Sequence, residues 1–128
     1  MNKSLNLKTY CIYGLGVSGK SVVNFLKKKN IKSFSTWDDV KNRRNLYSKI
    51  KKNEFKKKIF NADFIIMSPG INLKKTIFYK ELKYNENKII TDLDLFYLFN
   101  PKVKSIILTG TNGKSTACKM LEHILQKK

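Results

Sequence analysis

The chain has 128 residues, 41% hydrophobic and 12% aromatic, enough for one packed core and too apolar for wholesale disorder. Its net charge of +18 is almost all lysine, spread over residues 27–29, 49–52, 56–58 and 127–128. No RNP-like, zinc-finger or helix-turn-helix signature concentrates that charge, which argues against a nucleic-acid partner. No apolar run approaches the roughly 18 residues that span a bilayer, and the first residues lack the apolar core and cleavage site of a secretory signal. Cys11 and Cys118 form no CxxC pair and there is one histidine, so neither a disulfide framework nor a zinc site is expected. Two buried, reduced thiols in a cytoplasmic protein are the expectation.

In chain order, "TYCIYGL" (residues 9–15) reads as a short buried strand ending at glycine. Ser18, Val22, Phe25 and Lys29 then recur at helical spacing, with Val23 and Leu26 widening the apolar face. "KSFSTWDD" is a second strand closing on two acids. Residues 38–52 suggest a weakly amphipathic helix burying Leu46, Tyr47 and Ile50. "ADFIIMS" is a third strand, a continuous apolar run of the kind covered on both faces in parallel sheets. Pro69-Gly70 breaks the chain, a helix is expected near residues 76–84, and "NKIIT" reads as a fourth strand. Thr91, with Asp94 three positions on, resembles a capping box for a helix that Pro101 ends. "KSIILTG" predicts one more strand and residues 113–127 one more helix, with Ala117, Met120, Leu121, Ile124 and Leu125 on its apolar face. The alternation implies an α/β fold on a parallel, Rossmann-like sheet.

Two stretches carry chemistry. Gly14-Leu15-Gly16-Val17-Ser18-Gly19 is a literal G-x-G-x-x-G. Gly14 permits a tight turn off the strand, Gly16 leaves room for a phosphate, and Gly19 lets the helix pack close to the sheet. Amides at Val17 and Ser18, at a helix start, favour an anion. Asp38 and Asp39 end the next strand, where a dinucleotide fold places its ribose-binding acid, so these rules alone favour an NAD(P)-binding oxidoreductase domain. A close strand–helix crossing without a ligand also satisfies the hexapeptide. The second stretch, Gly110-Thr111-Asn112-Gly113-Lys114-Ser115-Thr116, follows an apolar segment and places Lys114 to reach β/γ-phosphates and the Ser115 hydroxyl to ligate Mg²⁺. Its spacing departs from the ordinary phosphate loop, because the position five before Gly113 is Leu108. A nicotinamide-dependent domain leaves this loop unexplained.

The second loop resembles the shortened ATP loop of the Mur ligases, enzymes that add amino acids to the UDP-linked precursor of bacterial peptidoglycan. "GLGVSG", "MSPGI" (residues 67–71) and "TDLDLF" precede it in the order found in the branch that joins D-glutamate to UDP-N-acetylmuramoyl-L-alanine. "WDD" at residues 37–39 is also similar to members of that branch, and the resemblance covers essentially the whole chain. It implies that the first glycine loop holds UDP and not NAD. Val17 and Ser18 would bind the pyrophosphate, Asp38 and Asp39 would contact uracil, and Ser68, Pro69 and Gly70 would close over the uridine. Where the branch more often carries Asp-Thr-Arg-like residues, this chain has Asp38-Asp39-Val40.

The resemblance further implies that residues 110–116 bind ATP, that Lys114 acts catalytically on the transferring phosphate, and that Ser115 holds Mg²⁺. ATP would phosphorylate the substrate's carboxylate, and the amine of D-glutamate would attack the acyl phosphate. Residues 1–91 would form the UDP-binding domain and residues 92–128 the start of an ATP-binding domain. This second part is expected to be loosely held, and the chain alone catalytically inactive. His123 is expected to be a surface or packing residue. The expected partners are these small molecules, with no nucleic acid and no membrane, bound by a monomer.

Overall fold

A computed structural model of the chain describes residues 3–126. The proposed helix end at Lys127 and the basic pair Lys127–Lys128 lie outside the described residues. After a 3-10 turn at Lys3–Leu7 come β1 (Tyr10–Tyr13), α1 (Val17–Lys28), β2 (Phe34–Trp37), α2 (Lys41–Asn45), α3 (Lys52–Asn61) and β3 (Phe64–Met67). They are followed by α4 (Tyr79–Tyr84), β4 (Ile89–Ile90), α5 (Asp92–Phe99) and α6 (Lys114–Gln126). The strands form one sheet in the order β2-β1-β3-β4, parallel at every pairing. This is the α/β, Rossmann-like sheet that the sequence implies.

The period of two along each strand divides the core between the two faces. Tyr10 and Ile12 of β1 and Ile66 of β3 pack with Val22, Val23 and Leu26 of α1 and with Leu95 and Phe99 of α5. Cys11 and Tyr13 of β1 and Ile65 and Met67 of β3 point the other way, onto Phe55 and Ile59 of α3 and Phe78 and Leu82 beside and on α4. That second core is aromatic: Trp37 stacks on Phe55 at 5.3 Å and meets Phe78 edge-on at 5.2 Å. Burial pushes the Cys11 thiol up to about 12, so it is an inert core group, whereas Cys118 on α6 is exposed, contrary to the expectation of two buried thiols.

Three further expectations are corrected. The helix expected over residues 38–52 is only the five-residue α2, because Leu46 is 74% exposed and Tyr47 and Ile50 reach the core from a loop. Residues 104–110 form no strand: among the described residues no neighbouring strand pairs with their backbone groups, and an unpaired strand has no ladder. Residues 92–128 are not uniformly loosely held. Helix α5 starts on the expected capping box, in which the Thr91 side chain accepts from the Asp94 amide and Asp94 accepts from the Thr91 amide, and it buries Leu95 and Phe99. From Pro101 to Gln126 every residue is exposed except the half-buried Leu121. His123 is exposed on α6, as expected. No helix among the described residues is long and apolar enough to cross a membrane.

Candidate functional site

In a sheet ordered β2-β1-β3-β4, the chain leaves β1 toward β2 on one side and later returns to β3 on the other. The carboxyl ends of β1 and β3 therefore diverge into a crevice, the place where such sheets bind ligands. A cavity of about 630 Å³ opens there, a size suited to a small molecule. It is lined from three directions: Tyr13 at the end of β1 with Gly14, Gly16, Val17 and Ser18 beyond it; Asp38, Asp39, Val40 and Arg43 after β2; and Ser68 through Asn72, Lys75 and Thr76 after β3.

The glycine loop is built by contacts that dictate two of its three glycines. Gly14 has φ +95, and a Cβ there would lie 2.4 Å from Ile71 Cδ1 and 2.9 Å from Ser68 Oγ. A Cβ on Gly19 would lie 1.8 Å from the carbonyl oxygen of Gly14, so helix and loop cross in direct backbone contact. Ser68 locks the crossing by donating to the Gly14 carbonyl at 3.1 Å. Gly16 is different: its φ is −72, and a Cβ there would meet nothing within 4 Å. Neither sterics nor backbone conformation requires glycine at this position. It sits as the N-cap of α1, and no side chain caps that end, which leaves amide donors facing the cavity.

The two acids after β2 have separate jobs. Asp38 is 5% exposed, and its carboxylate accepts from the Leu15 amide at 2.7 Å and the Val40 amide at 2.8 Å. It ties the glycine loop to the end of β2 and lines the cavity floor as a brace. Asp39 is exposed, and its Oδ1 accepts from the Tyr13 hydroxyl at 2.7 Å and from Trp37 Nε1 at 3.0 Å. Burial and the bond to Asp39 push the Tyr13 hydroxyl well above the usual phenol range, so it stays a donor. Arg44 lies 4.1 Å from the Trp37 ring centre and donates to the Asp38 carbonyl, bracing the same wall.

All seven residues expected at the first site line this one cavity: Val17, Ser18, Asp38, Asp39, Ser68, Pro69 and Gly70. The sequence reading does not single out Tyr13, Arg43, Ile71, Asn72, Lys75 or Thr76, which also line it. Tyr13, as the last residue of a strand at the crevice, had a signal in its position. Lys75 and Thr76 had none, since only the turn after β3 carries them there.

The second loop stands apart from this cavity. Gly110 and Gly113 have φ +148 and +79, and the Lys114 ammonium folds back to donate to the carbonyls of Gly110 and Thr111. Thr111, Asn112, Ser115 and Thr116 are exposed at the start of α6. Among the described residues no group of three or more His, Cys, Asp or Glu side chains converges to hold a metal ion.

A family model described as Mur ligase MurD-like, N-terminal domain, matches residues 8–90. The chain is 39% identical over 127 residues to the UDP-N-acetylmuramoylalanine--D-glutamate ligase of Buchnera aphidicola subsp. Schizaphis graminum, a match covering 94% of this chain and 28% of that protein. It is 34% identical over 119 residues to the enzyme of the same name from Rickettsia prowazekii, covering 89% of this chain and 26% of that one. Over 66 residues it is 47% identical to the same-named enzyme of Francisella philomiragia, half of this chain and 16% of that protein. The chain thus spans about a quarter of the length of the first two relatives.

Proposed function

The chain belongs to the MurD-like Mur ligases through the N-terminal domain of that family, and from this premise we propose that its cavity binds the UDP end of UDP-N-acetylmuramoyl-L-alanine for D-glutamate addition. The observation that carries the reading is Gly16. Its two neighbours in the motif are glycines because the fold leaves no room for a Cβ, whereas the space beside Gly16 is free of protein atoms. A glycine kept beside open space, at the uncapped start of a 12-residue helix, supports a diphosphate laid against the amides of Val17 and Ser18. The Ser18 hydroxyl, which has no partner among the described residues, would add a donor. Pro69 and Gly70, exposed on the rim, would close over the uridine, and the lysine-rich surface would draw in an anion.

An NAD(P)-binding domain is the weaker reading. Of the two acids placed to hold a ribose diol, Asp38 already accepts backbone amides at both oxygens and only Asp39 is exposed at the cavity, and a nicotinamide site leaves the loop at residues 110–116 unexplained.

In the whole ligase, Gly110 through Thr116 would bind ATP, with Lys114 turning from its own loop carbonyls to the transferring phosphate and Ser115 offering a hydroxyl to Mg²⁺. A bound Mg²⁺ would supply charge neutralisation at the phosphate oxygens. The residues present fit only part of that site, which supports a chain that binds the UDP substrate without catalysing ligation. On this division residues 1–91 hold the UDP substrate and residues 92–128 begin the ATP-binding part, although Leu95 and Phe99 of α5 pack into the core of the first.

Gly16→Val tests the reading. The side chain would fill the free space and meet the diphosphate, so affinity for UDP-N-acetylmuramoyl-L-alanine, measured by calorimetry, should fall by at least about tenfold, the loss of one charge-assisted contact. The fold should survive, with a loss of about 1 kcal/mol because valine is a poorer N-cap than glycine, a lowering of the melting temperature by a few degrees. Unchanged affinity in the variant would refute the proposed position of the diphosphate.

A further inference from the structure

Another cavity, of about 420 Å³, opens on the outer edge of the sheet between β2, the loop at residues 47–50 and α3. It shares no lining residue with the first. Strand β2 is an edge, paired with β1 alone. The carbonyls of Ser33 and Trp37 accept from the amides of Tyr10 and Gly14, so by alternation the backbone of Thr36 turns away from β1. Its side chain is equally unmatched. Thr36 is 3% exposed and lines the cavity, and its hydroxyl is the one buried side-chain polar atom without a hydrogen-bond partner among the described residues. A covered hydroxyl bonded to nothing destabilises a fold, and valine would fill the same volume without that penalty. The charges around it repeat the pattern. Lys49, Glu54 and Lys58 bring both signs to the cavity and form no ion pair, although Lys56 of the same helix pairs with Glu81. Ser48 accepts from the Ile50 amide at 3.1 Å, which leaves its own O–H to donate.

We propose that this cavity is a binding site for a free α-amino acid. The ligand's carboxylate meets the ammonium groups of Lys49 and Lys58 and the Ser48 hydroxyl, and its ammonium group meets Glu54. The Thr36 hydroxyl, which can both donate and accept, gains the partner it lacks. A simple anion would be repelled by Glu54 and a simple amine by the two lysines, so a ligand carrying both charges suits the lining best. The volume lies at the lower end of the range for small-molecule pockets, in keeping with a ligand of this size.

The experiment titrates the isotope-labelled full chain with glycine, alanine, serine, glutamate and lysine, following backbone amide shifts by NMR. At least one should shift Thr36, Ser48 and Lys49 saturably. The N-acetyl and carboxamide derivatives of that amino acid, each lacking one charge, should bind about tenfold more weakly or worse, as loss of a hydrogen bond to a charged group implies. Thr36→Val should weaken binding by about threefold or more while its melting temperature stays at or above that of wild type, because no bond within the fold is lost. Glu54→Gln, an exposed change, should erase the discrimination against the N-acetyl derivative, and it carries the test if Thr36→Val does not fold. Absence of saturable shifts with all five amino acids overturns the proposal. So does equal binding of the derivatives, which would mean recognition of a peptide backbone. Binding that Thr36→Val leaves unchanged, or a discrimination that survives Glu54→Gln, overturns it as well.

Discussion

A hydrogen-to-methyl change distinguishes the glycines of one hexapeptide. At Gly19 an added Cβ would sit 1.8 Å from the Gly14 carbonyl oxygen, a backbone atom with nowhere to go. Gly19→Ala must therefore pull α1 off the sheet, with an overpacking cost of about 3 kcal/mol or more. The expected result is a melting temperature lowered by about 12 °C or more, or failure to fold, as followed by circular dichroism. A loss under about 2 °C would mean that α1 does not cross the loop this closely. The motif's spelling makes all three glycines legible as a phosphate turn. The motif also assigns Gly14 to the turn, Gly19 to close helix packing and Gly16 to ligand approach, and the surrounding atoms agree, crowding the first two and leaving Gly16 open. Less is legible in "WDD": an acid after β2 can be read, but Asp38 as a brace and Asp39 as the acceptor of a buried hydroxyl depend on Leu15 and Tyr13, more than twenty residues away.

At the scale of elements, β1 and β3 are joined at their amino ends by Asp63. Its carboxylate accepts from the amide and hydroxyl of Thr9 at 2.8 Å each and from Lys8 at 3.0 Å. These donors hold the Asp63 carboxyl down at about 2, below the 3.8 of a free aspartate, with the Thr9 amide the leading cause. A depressed carboxylate pKa stabilises the fold above the unfolded value, and the contribution is lost as pH falls from about 4 toward 2. Asp63→Asn should therefore lower the melting temperature at pH 6 and converge with wild type near pH 2. A gap that persists at pH 2 would contradict the assignment. Thr91→Ala removes the cap of α5 and should cost about 1 kcal/mol in chemical denaturation. No change in the denaturation midpoint would show that α5 does not depend on its cap.

Element legibility followed local signal strength. The apolar run of β3 and the capping box of α5 declare themselves, whereas α3 has only Phe55 and Ile59, one i, i+4 pair among lysines, as its buried anchors. Residues 104–110 mark the converse failure. Ile106, Ile107 and Leu108 spell a strand, yet strand structure is made by a neighbour, and these side chains are exposed with none beside them.

For the whole molecule, a two-faced core extends from the first turn to Phe99, and the segment beyond it hangs on few contacts. The hydrogen bond from the Tyr97 hydroxyl to Ser105 is one tie between them. Deleting residues 102–128 should therefore leave the melting temperature within about 3 °C, as expected for loss of an exposed hydrogen bond worth less than about 1 kcal/mol. A larger drop would mean that α6 contributes to the core. The net charge of +18 makes a separate claim about the ligand: affinity for UDP should fall as salt rises, because screening shortens the field to about 10 Å at 0.1 M.

The most direct test of the account is calorimetric titration of the chain with UDP-N-acetylmuramoyl-L-alanine, with NAD⁺ and Mg-ATP as parallel ligands. Saturable binding of the UDP sugar, without heat from the other two, is the predicted result. Binding of NAD⁺ together with indifference to the UDP sugar would contradict it and make the glycine loop a dinucleotide site.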